Sequence, residues 1–308
     1  MLRREFISLL VAATASNALA KSSGKAQMGL SLSEVSTFGA TFREDVHAYK
    51  SAGFEAIGVW EFKLPDKGSD DQILASLHEA NLKVATCVPT VSTILPCEKL
   101  GKLVGEIGPR DPARRVAMIC ESIFRFARFD PLSVLVITGP LGDLDPDPAH
   151  RIVIDGLREI ADAARSAGVR VGLEPINPIQ RETISFVNSI ADAINLLNNS
   201  GLEDIGIQAD TYNMWFEDPS DLAAIAHRVT GLHVADMPKQ IGRTDRVLPG
   251  EGGTRSAALA SALLGAGWNN GFLDVEIFST PQRFWGLPVD EAAISAHSAI
   301  AKVRATLT

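Results

Sequence analysis

From residue 28 onward the sequence alternates short apolar segments typical of strands with longer segments that have the apolar spacing of helices. Strands that alternate with helices pair in parallel, and eight such units close most economically into an α/β fold, the (β/α)8 barrel. The predicted strands are 28–32, 55–61, 82–90, 132–138, 170–176, 205–210, 230–235 and 272–278. The predicted helices are 42–52, 69–81, 113–129, 149–167, 188–199, 219–227, 255–266 and 290–306.

One domain accounts for residues 27–308, because a barrel of this kind can occupy the 308 residues of the chain and no linker or low-complexity tract interrupts it. The segment 91–112, which contains Pro96 and Pro109, is predicted to be a long connection above the barrel, and residues 145–148 a turn-rich break. An open, doubly wound sheet is the alternative. It is disfavoured because no Gly-x-Gly-x-x-Gly motif joins a strand to a helix.

Residues 1–26 differ from the rest of the chain and are interpreted as a signal peptide with a short linker. Arg3 and Arg4 precede an apolar, alanine-rich run that ends in small residues at Ala18 and Ala20. The paired arginines indicate a twin-arginine type of signal, which exports folded proteins. The expected location is therefore periplasmic or secreted. The alternative is a cytoplasmic protein whose true start is Met28.

Charge and cysteine content exclude several other classes of protein. Lys and Arg number 29 against 37 Asp and Glu, a net charge of −8, and no long basic run occurs, so nucleic acid and anionic membranes are disfavoured as partners. The three cysteines (Cys87, Cys97 and Cys120) form neither a disulfide framework nor a zinc-binding pattern.

Four of the predicted strands share an arrangement that points to a site. In each, alternate residues are apolar, and the other face carries one acid or imidazole near the end of the strand: Glu174, Asp210, His233 and Glu276. These are the consecutive strands five to eight. Because active sites of (β/α)8 barrels lie at the carboxyl ends of the strands, the four side chains are expected to converge on one rim.

A single divalent metal ion is the simplest reason for such a convergence. Taken singly, a strand-end carboxylate is more often a helix cap or a salt bridge, and a lone histidine is more often part of the core. Together, three carboxylates in a dry pocket repel one another, and a cation removes that cost. Three carboxylates and one imidazole form an oxygen-rich set, which favours Mn²⁺ or Mg²⁺, with Co²⁺ or Zn²⁺ as alternatives.

Over residues 28–304 the chain resembles the xylose isomerase-like TIM barrels, the superfamily that includes ketose 3-epimerases, inosose dehydratases and hydroxypyruvate isomerases. The resemblance rests on the order and spacing of several short motifs rather than on any one of them. They are Leu173-Glu174-Pro175-Ile176-Asn177, Asp210-Thr211-Tyr212-Asn213-Met214, His233-Val234-Ala235-Asp236, Arg246 with Pro249-Gly250-Glu251-Gly252, and Val275-Glu276.

The resemblance implies a divalent-metal-dependent isomerase or epimerase that acts on a sugar, keto-sugar or cyclitol. In that family the reaction is proton abstraction next to a carbonyl, through an enediolate that the ion stabilises. Glu174 and Glu276 correspond to the catalytic pair that removes and returns the proton, and each also binds the metal. Asp210 and His233 correspond to residues that are ligands only.

The same resemblance gives candidate substrate-binding residues: Asn177, Glu182, Lys239, Arg246 and Trp60. Trp60 could stack on a sugar ring, and Asn177 could instead cap the next turn. Two departures weigh against a free ketose as the substrate. Asn213 replaces a histidine of the ketose 3-epimerases, and Lys239 stands where those enzymes have an arginine.

Other functions stay open at this point. A lyase or dehydratase on a keto-sugar or 3-keto-glycoside would use the same proton abstraction, and a non-catalytic sugar-binding barrel would be expected to lack one of the two glutamates. A DNA-repair endonuclease would need a histidine-rich metal cluster, whereas the chain has six histidines, with only His233 at a suitable strand end. The expected partner is a small-molecule sugar or polyol, and a homo-oligomer is compatible with the sequence.

Overall fold

Eight parallel strands close into a barrel in the computed structural model, which describes residues 28–105, 107–240, 245–253, 255–269 and 271–307. Neighbouring strands pair in chain order, and β8 pairs with β1 to close the ring. The predicted single-domain (β/α)8 fold is confirmed. The strands are β1 (Gly29–Ser33), β2 (Ala56–Trp60), β3 (Lys83–Val88), β4 (Ser133–Val136), β5 (Val171–Leu173), β6 (Ile205–Asp210), β7 (Val229–Val234) and β8 (Phe272–Val275).

Helices follow every strand, as the alternating pattern predicts. They begin at good caps where the sequence provides one: Thr41 and Glu44 form a capping box at the start of the first helix. The helices are α1 (Phe42–Ala52), α2 (Asp70–Ala80), α3 (Glu98–Val104), α4 (Pro112–Phe126), α5 (Pro146–Ala167), α6 (Ile190–Asn199), α7 (Pro219–Ala224), α8 (Ser256–Gly265) and α9 (Val289–Thr306).

The predicted loop over residues 91–112 is wrong in one respect, because α3 lies within it. The two prolines that suggested an irregular connection flank the helix instead of interrupting it. Pro96 precedes the N-cap residue Cys97, and Pro109 follows the C-cap Gly105, whose φ of 77° is the left-handed conformation that ends helices.

Several predicted boundaries also shift. Helix α5 begins at Pro146 and not at residue 149, since proline is well tolerated in the first turn, where a backbone N–H has no helical partner. Helix α7 ends at Ala224 and is continued only by a 3-10 turn. Strand β8 ends at Val275 and not at residue 278.

The main apolar core lies between the barrel and its helices. Residues on the outer faces of the strands, such as Leu32, Val134 and Ile207, pack in one cluster with helix residues such as Ile160 and Ile300. All five are completely buried. Burial of this layer is the main term that stabilises the barrel.

The inside of the barrel is polar at its centre. A Cβ built at Gly231 would meet the side chains of Gln208, Ser133 and Thr86, which come from three other strands. Such a meeting is possible only inside the ring. Gln208 accepts a hydrogen bond from Ser133 at 3.2 Å and donates one to Thr86 at 3.4 Å, so these polar groups are satisfied by one another.

The predicted export signal cannot be compared with the structure, because residues 1–27 lie outside the described residues. It stays a prediction. Within the described ranges, every helix is too short or too polar to cross a bilayer.

Gly172 in β5 generates a testable prediction for the barrel interior. A Cβ at this position would lie 2.2 Å from Thr230 Oγ1 and 2.8 Å from the backbone nitrogen of Gln208. We expect Gly172→Ala to lower the free energy of unfolding by about 1–3 kcal/mol, because the backbone of β6 cannot give way. Chemical denaturation measures the change.

Gly39 provides the matched control for this substitution, since a Cβ there would meet nothing within 4 Å. Gly39→Ala is expected to leave stability unchanged or slightly higher. Equal stabilities for the Gly172→Ala protein and the unsubstituted protein would contradict the packing described here.

Candidate metal centre

Four polar side chains from consecutive strands meet at one rim of the barrel. Asp210 is the last residue of β6 and His233 is the last but one of β7, while Glu174 and Glu276 directly follow the final residues of β5 and β8. Asp210 and His233 are also register partners. Because all strands run in parallel, their carboxyl ends share one edge of the barrel.

The geometry of these four residues is compatible with a shared cation. One potential ligand atom from each of Glu174, Asp210, His233 and Glu276 lies within 4.8 Å of the corresponding atoms of the other three. All four side chains are buried. We call Glu174, Asp210, His233 and Glu276 the four-residue set.

Arg246 and Asn213 hold the carboxylates of the set in place. Nη1 of Arg246 lies 2.8 Å from Asp210 Oδ2 and 2.8 Å from Glu276 Oε2. Nδ2 of Asn213 donates to Glu174 Oε1 at 3.0 Å and to Asp210 Oδ2 at 3.1 Å. Asp210 is therefore held by both residues, Glu276 by Arg246 and Glu174 by Asn213.

His233 is the member of the set without a hydrogen bond. Both of its ring nitrogens are buried and lack a hydrogen-bond partner among the described residues. Nδ1 lies 3.3 Å from Glu276 Oε2, and Nε2 lies 3.8 Å from Asp274 Oδ2. Since a buried polar atom is costly when unpaired, an imidazole in this position fits a metal ligand.

The site attracts positive charge. Burial alone would lower the pKa of His233, but the negative charges of Glu276, Asp274 and Glu174 outweigh it and raise the pKa to about 10. Burial raises the pKa of Glu174 well above its ordinary value, and the charges of Asp210 and Glu276 raise it further. Burial would also raise the pKa of Glu276, but His233 and Arg246 lower it overall. A divalent cation would neutralise the same negative charges.

A cavity of about 220 Å³ opens beside the set. Its lining includes Glu174, Glu276, Asn213, Arg246 and Trp60. A small molecule in this cavity could reach both glutamates and any ion held between them, which is the arrangement that chemistry on a bound carbonyl compound requires.

The predicted substrate-binding residues are distributed unevenly around this cavity. Trp60 and Arg246 line it. Asn177 is buried and bonded within the protein: its amide nitrogen donates to Asn213 and Gln180, and its oxygen caps the turn at Ile179. Glu182 and Lys239 are exposed and do not line the cavity. Their part in binding a substrate stays a prediction.

Two residues that contact the set are absent from the predicted site. In the sequence, Asn213 stands out only as a departure from the ketose 3-epimerases, yet in the structure it donates to two carboxylates of the set. Asp274 is the register partner of His233 on the neighbouring strand, and neither of its carboxylate oxygens has a hydrogen-bond partner among the described residues. The signal for Asp274 was its place two residues before Glu276 on the inner face of β8.

The family profile of the xylose isomerase-like TIM barrels matches residues 46–301. An L-ribulose 3-epimerase from Mesorhizobium japonicum is 27% identical over 124 residues, a segment that covers 40% of this chain and 39% of that enzyme. The match therefore spans well under half of the relative.

Solved structures extend the similarity across the whole barrel. The IolI protein, whose crystal structure contains a bound zinc atom, has a TM-score of 0.72 at 19% identity and covers 91% of this chain and 99% of its own. A 3-keto-D-glucoside 4-epimerase from E. coli has a TM-score of 0.70 at 18% identity, over 91% of this chain and 100% of its own. At these identities the superpositions establish the fold alone.

The charge of His233 generates a prediction about metal binding. Below pH 10 the imidazole of the metal-free protein carries a proton that a metal ion must displace. Mn²⁺ binding at pH 8 is therefore expected to release at least about one proton, and the affinity is expected to rise by up to about tenfold per pH unit between pH 7 and 9. Titration calorimetry in buffers of different ionisation enthalpy measures both quantities.

The controls for this titration are two histidine variants. His233→Gln should release about one proton fewer than the unsubstituted protein, whereas His227→Gln should release as many, because His227 is an exposed residue on a 3-10 turn before β7. An affinity that does not change with pH, or a proton release that is as large in His233→Gln as in the unsubstituted protein, would contradict the proposed ligand.

Proposed function

The chain belongs to the xylose isomerase-like TIM barrels, and on that premise we propose that it is a divalent-metal-dependent isomerase or epimerase acting on a sugar, keto-sugar or cyclitol. The observation that carries the proposal is the meeting of Glu174, Asp210, His233 and Glu276 at the carboxyl rim of the barrel, within 4.8 Å of one another and beside a cavity. The L-ribulose 3-epimerase relative and the 3-keto-D-glucoside 4-epimerase neighbour act on substrates of this chemical kind.

The four-residue set would hold the ion. Its donors are three carboxylates and one imidazole, a combination that suits Mn²⁺ or Mg²⁺, and the zinc in the IolI structure shows that a barrel of this fold also accepts a borderline ion. When bound, the ion supplies Lewis-acid stabilisation for negative charge on the substrate oxygens.

Glu174 and Glu276 carry the proton transfers in this proposal. They come from β5 and β8, on either side of Asp210 and His233, and both line the cavity. Carboxylates that approach a substrate from two sides can remove a proton from one face of the carbon next to the carbonyl and return it to the other. Asp210 and His233 orient the site as ligands.

Arg246 and Asn213 position the two glutamates. Arg246 bonds Glu276 and Asn213 bonds Glu174, so each catalytic carboxylate has a partner that limits its rotation. Arg246 in turn lies between the rings of Tyr212 and Phe278, with its guanidinium carbon 4.6 Å and 4.8 Å from the ring centres. Restricted carboxylates favour transfer at a defined carbon.

Elimination is the second candidate, since a lyase or dehydratase begins with the same proton abstraction. Two observations weigh against epimerisation of a free ketose. Asn213 stands where ketose 3-epimerases carry a histidine, and Lys239, at the place of their arginine, is exposed and away from the cavity. The two reactions differ in product mass, because epimerisation conserves it and elimination releases water or an aglycone.

The proposal is tested with Glu174→Gln and Glu276→Gln. We expect each variant to lower turnover by about 10²–10⁴-fold while the fold is kept, because glutamine fills the same space but cannot accept the proton. The metal-loaded protein is incubated in D₂O with a panel of ketoses, keto-sugars and 3-keto-glucosides, and mass spectrometry follows deuterium incorporation and product mass.

Glu203→Gln is the control, since Glu203 is exposed, lies before the amino end of β6 and does not line the cavity. It should behave like the unsubstituted protein. Full deuterium exchange by Glu174→Gln or Glu276→Gln would remove that glutamate from the mechanism. A panel without any exchange, in a protein that holds its metal, would argue for a binding barrel.

A further inference from the structure

The cavity beside the four-residue set has two unlike halves. The half formed by β5 to β8 carries Glu174, Glu276 and Arg246. The half formed by β2 to β4 carries apolar side chains at the corresponding height of the barrel: Trp60 at the end of β2, Val88 at the end of β3, and Leu135 and Ile137 at β4. We call this second side the apolar half.

The apolar half is a hydrophobic cluster of its own, separate from the core between strands and helices. It includes Trp60, Val88, Leu135 and Ile137, and the connection after β5 adds Ile176 and Ile184, which also line the cavity. Partly buried Phe278 and Trp285 pack against it. The barrel therefore builds a second apolar surface beside its most highly charged site.

The two tryptophans present no hydrogen-bond donor to the cavity. Nε1 of Trp60 donates to Ser33 Oγ at 3.0 Å. Nε1 of Trp285 donates to the carbonyl oxygens of Val35 at 2.7 Å and Ile277 at 3.0 Å. Since both indole N–H groups are bonded within the protein, a ligand in the cavity meets only their carbon atoms.

A free sugar fits this lining poorly. Such a molecule carries a hydroxyl on almost every carbon, and each hydroxyl that loses water without gaining a partner lowers the affinity. Hydroxyls near the glutamates and Arg246 would find partners. Hydroxyls directed at Val88, Leu135 and Ile137 would not. Besides the groups near the glutamates and Arg246, the described lining offers few polar side chains, among them Ser92, Gln180 and the exposed Lys99.

We infer that the substrate is a keto-polyol that carries an aromatic group, such as an aryl glycoside oxidised in its sugar ring, and that the aromatic group occupies the apolar half. This inference rests on the proposed function, because the polyol part must reach the four-residue set. Trp60 and Phe278 already pack edge to face at 5.7 Å, and a third ring can pack against them in the same way. The cavity of about 220 Å³ suits a small molecule.

Three hydroxamates that share one chelating group test the inference by binding rather than by turnover. Benzohydroxamate, acetohydroxamate and glycolohydroxamate each offer a metal the same pair of adjacent oxygens and differ only in a phenyl, methyl or hydroxymethyl group. Calorimetry on the Co²⁺-loaded full-length protein is expected to show benzohydroxamate binding about 100-fold more tightly than acetohydroxamate, because the phenyl ring buries more apolar area. Glycolohydroxamate should bind no more tightly than acetohydroxamate.

Val88→Thr tests whether the phenyl ring of benzohydroxamate binds in the apolar half. The change keeps the shape of the side chain and adds one hydroxyl to a buried wall of the cavity. The substitution should weaken the binding of benzohydroxamate by about 3–10-fold and leave the affinity for acetohydroxamate unchanged. The unchanged affinity would also show that the metal site is intact. Val289→Thr is the control, because Val289 lies at the start of α9 and does not line the cavity.

The outcomes separate this inference from the proposed function. Equal affinities for the three hydroxamates, or a preference for glycolohydroxamate, would contradict the inference that the substrate carries an aromatic group. The proposal of a metal-dependent enzyme would be unaffected. Failure of all three to bind the Co²⁺-loaded protein would contradict the accessible metal site, and both proposals with it. If Val88→Thr does not fold, the comparison on the unsubstituted protein still decides.

Discussion

The repulsion among three buried carboxylates is the constraint on which the rest of the site depends. Glu174, Asp210 and Glu276 can all stay ionised in a dry pocket only if positive charge lies among them. Arg246 bonds Asp210 and Glu276 but makes no such bond to Glu174, whose pKa is raised, and the imidazole of His233 is left without a hydrogen bond. A divalent ion with all four side chains as ligands would neutralise Glu174 and also give the imidazole of His233 a partner.

The barrel separates this charge from an apolar surface by dividing its rim between strands. Strands β5 to β8 supply acids and an imidazole, and β2 to β4 supply Trp60, Val88 and Leu135. A low-dielectric wall beside a charged centre strengthens every electrostatic interaction within it. The same division would bind a substrate by two different forces at its two ends, which is the physical basis for expecting an amphiphilic molecule.

Most of the fold can be predicted from the sequence, because the apolar periods of strands and helices are local properties and closure of the barrel follows from eight parallel units. The four-residue set can also be predicted, since side chains at the ends of parallel strands meet at one edge of the sheet. The sequence could not reveal α3, whose flanking prolines resemble those of a loop. The contacts of Arg246 with Asp210 and Glu276 depend on how the chain after β7 folds back over the barrel, which no local pattern encodes. For Asn177, the sequence allowed a substrate contact or a turn cap, and the structure shows the cap.

The most direct test of the central claim is the anomalous scattering of Mn²⁺ in crystals of the protein soaked with that ion. An ion shared by the four-residue set would give one strong peak about 2.0–2.3 Å from atoms of Glu174, Asp210, His233 and Glu276 together, and the peak should be lost in Asp210→Ala. A peak elsewhere, or none at this rim while the four side chains keep their positions, would contradict the account.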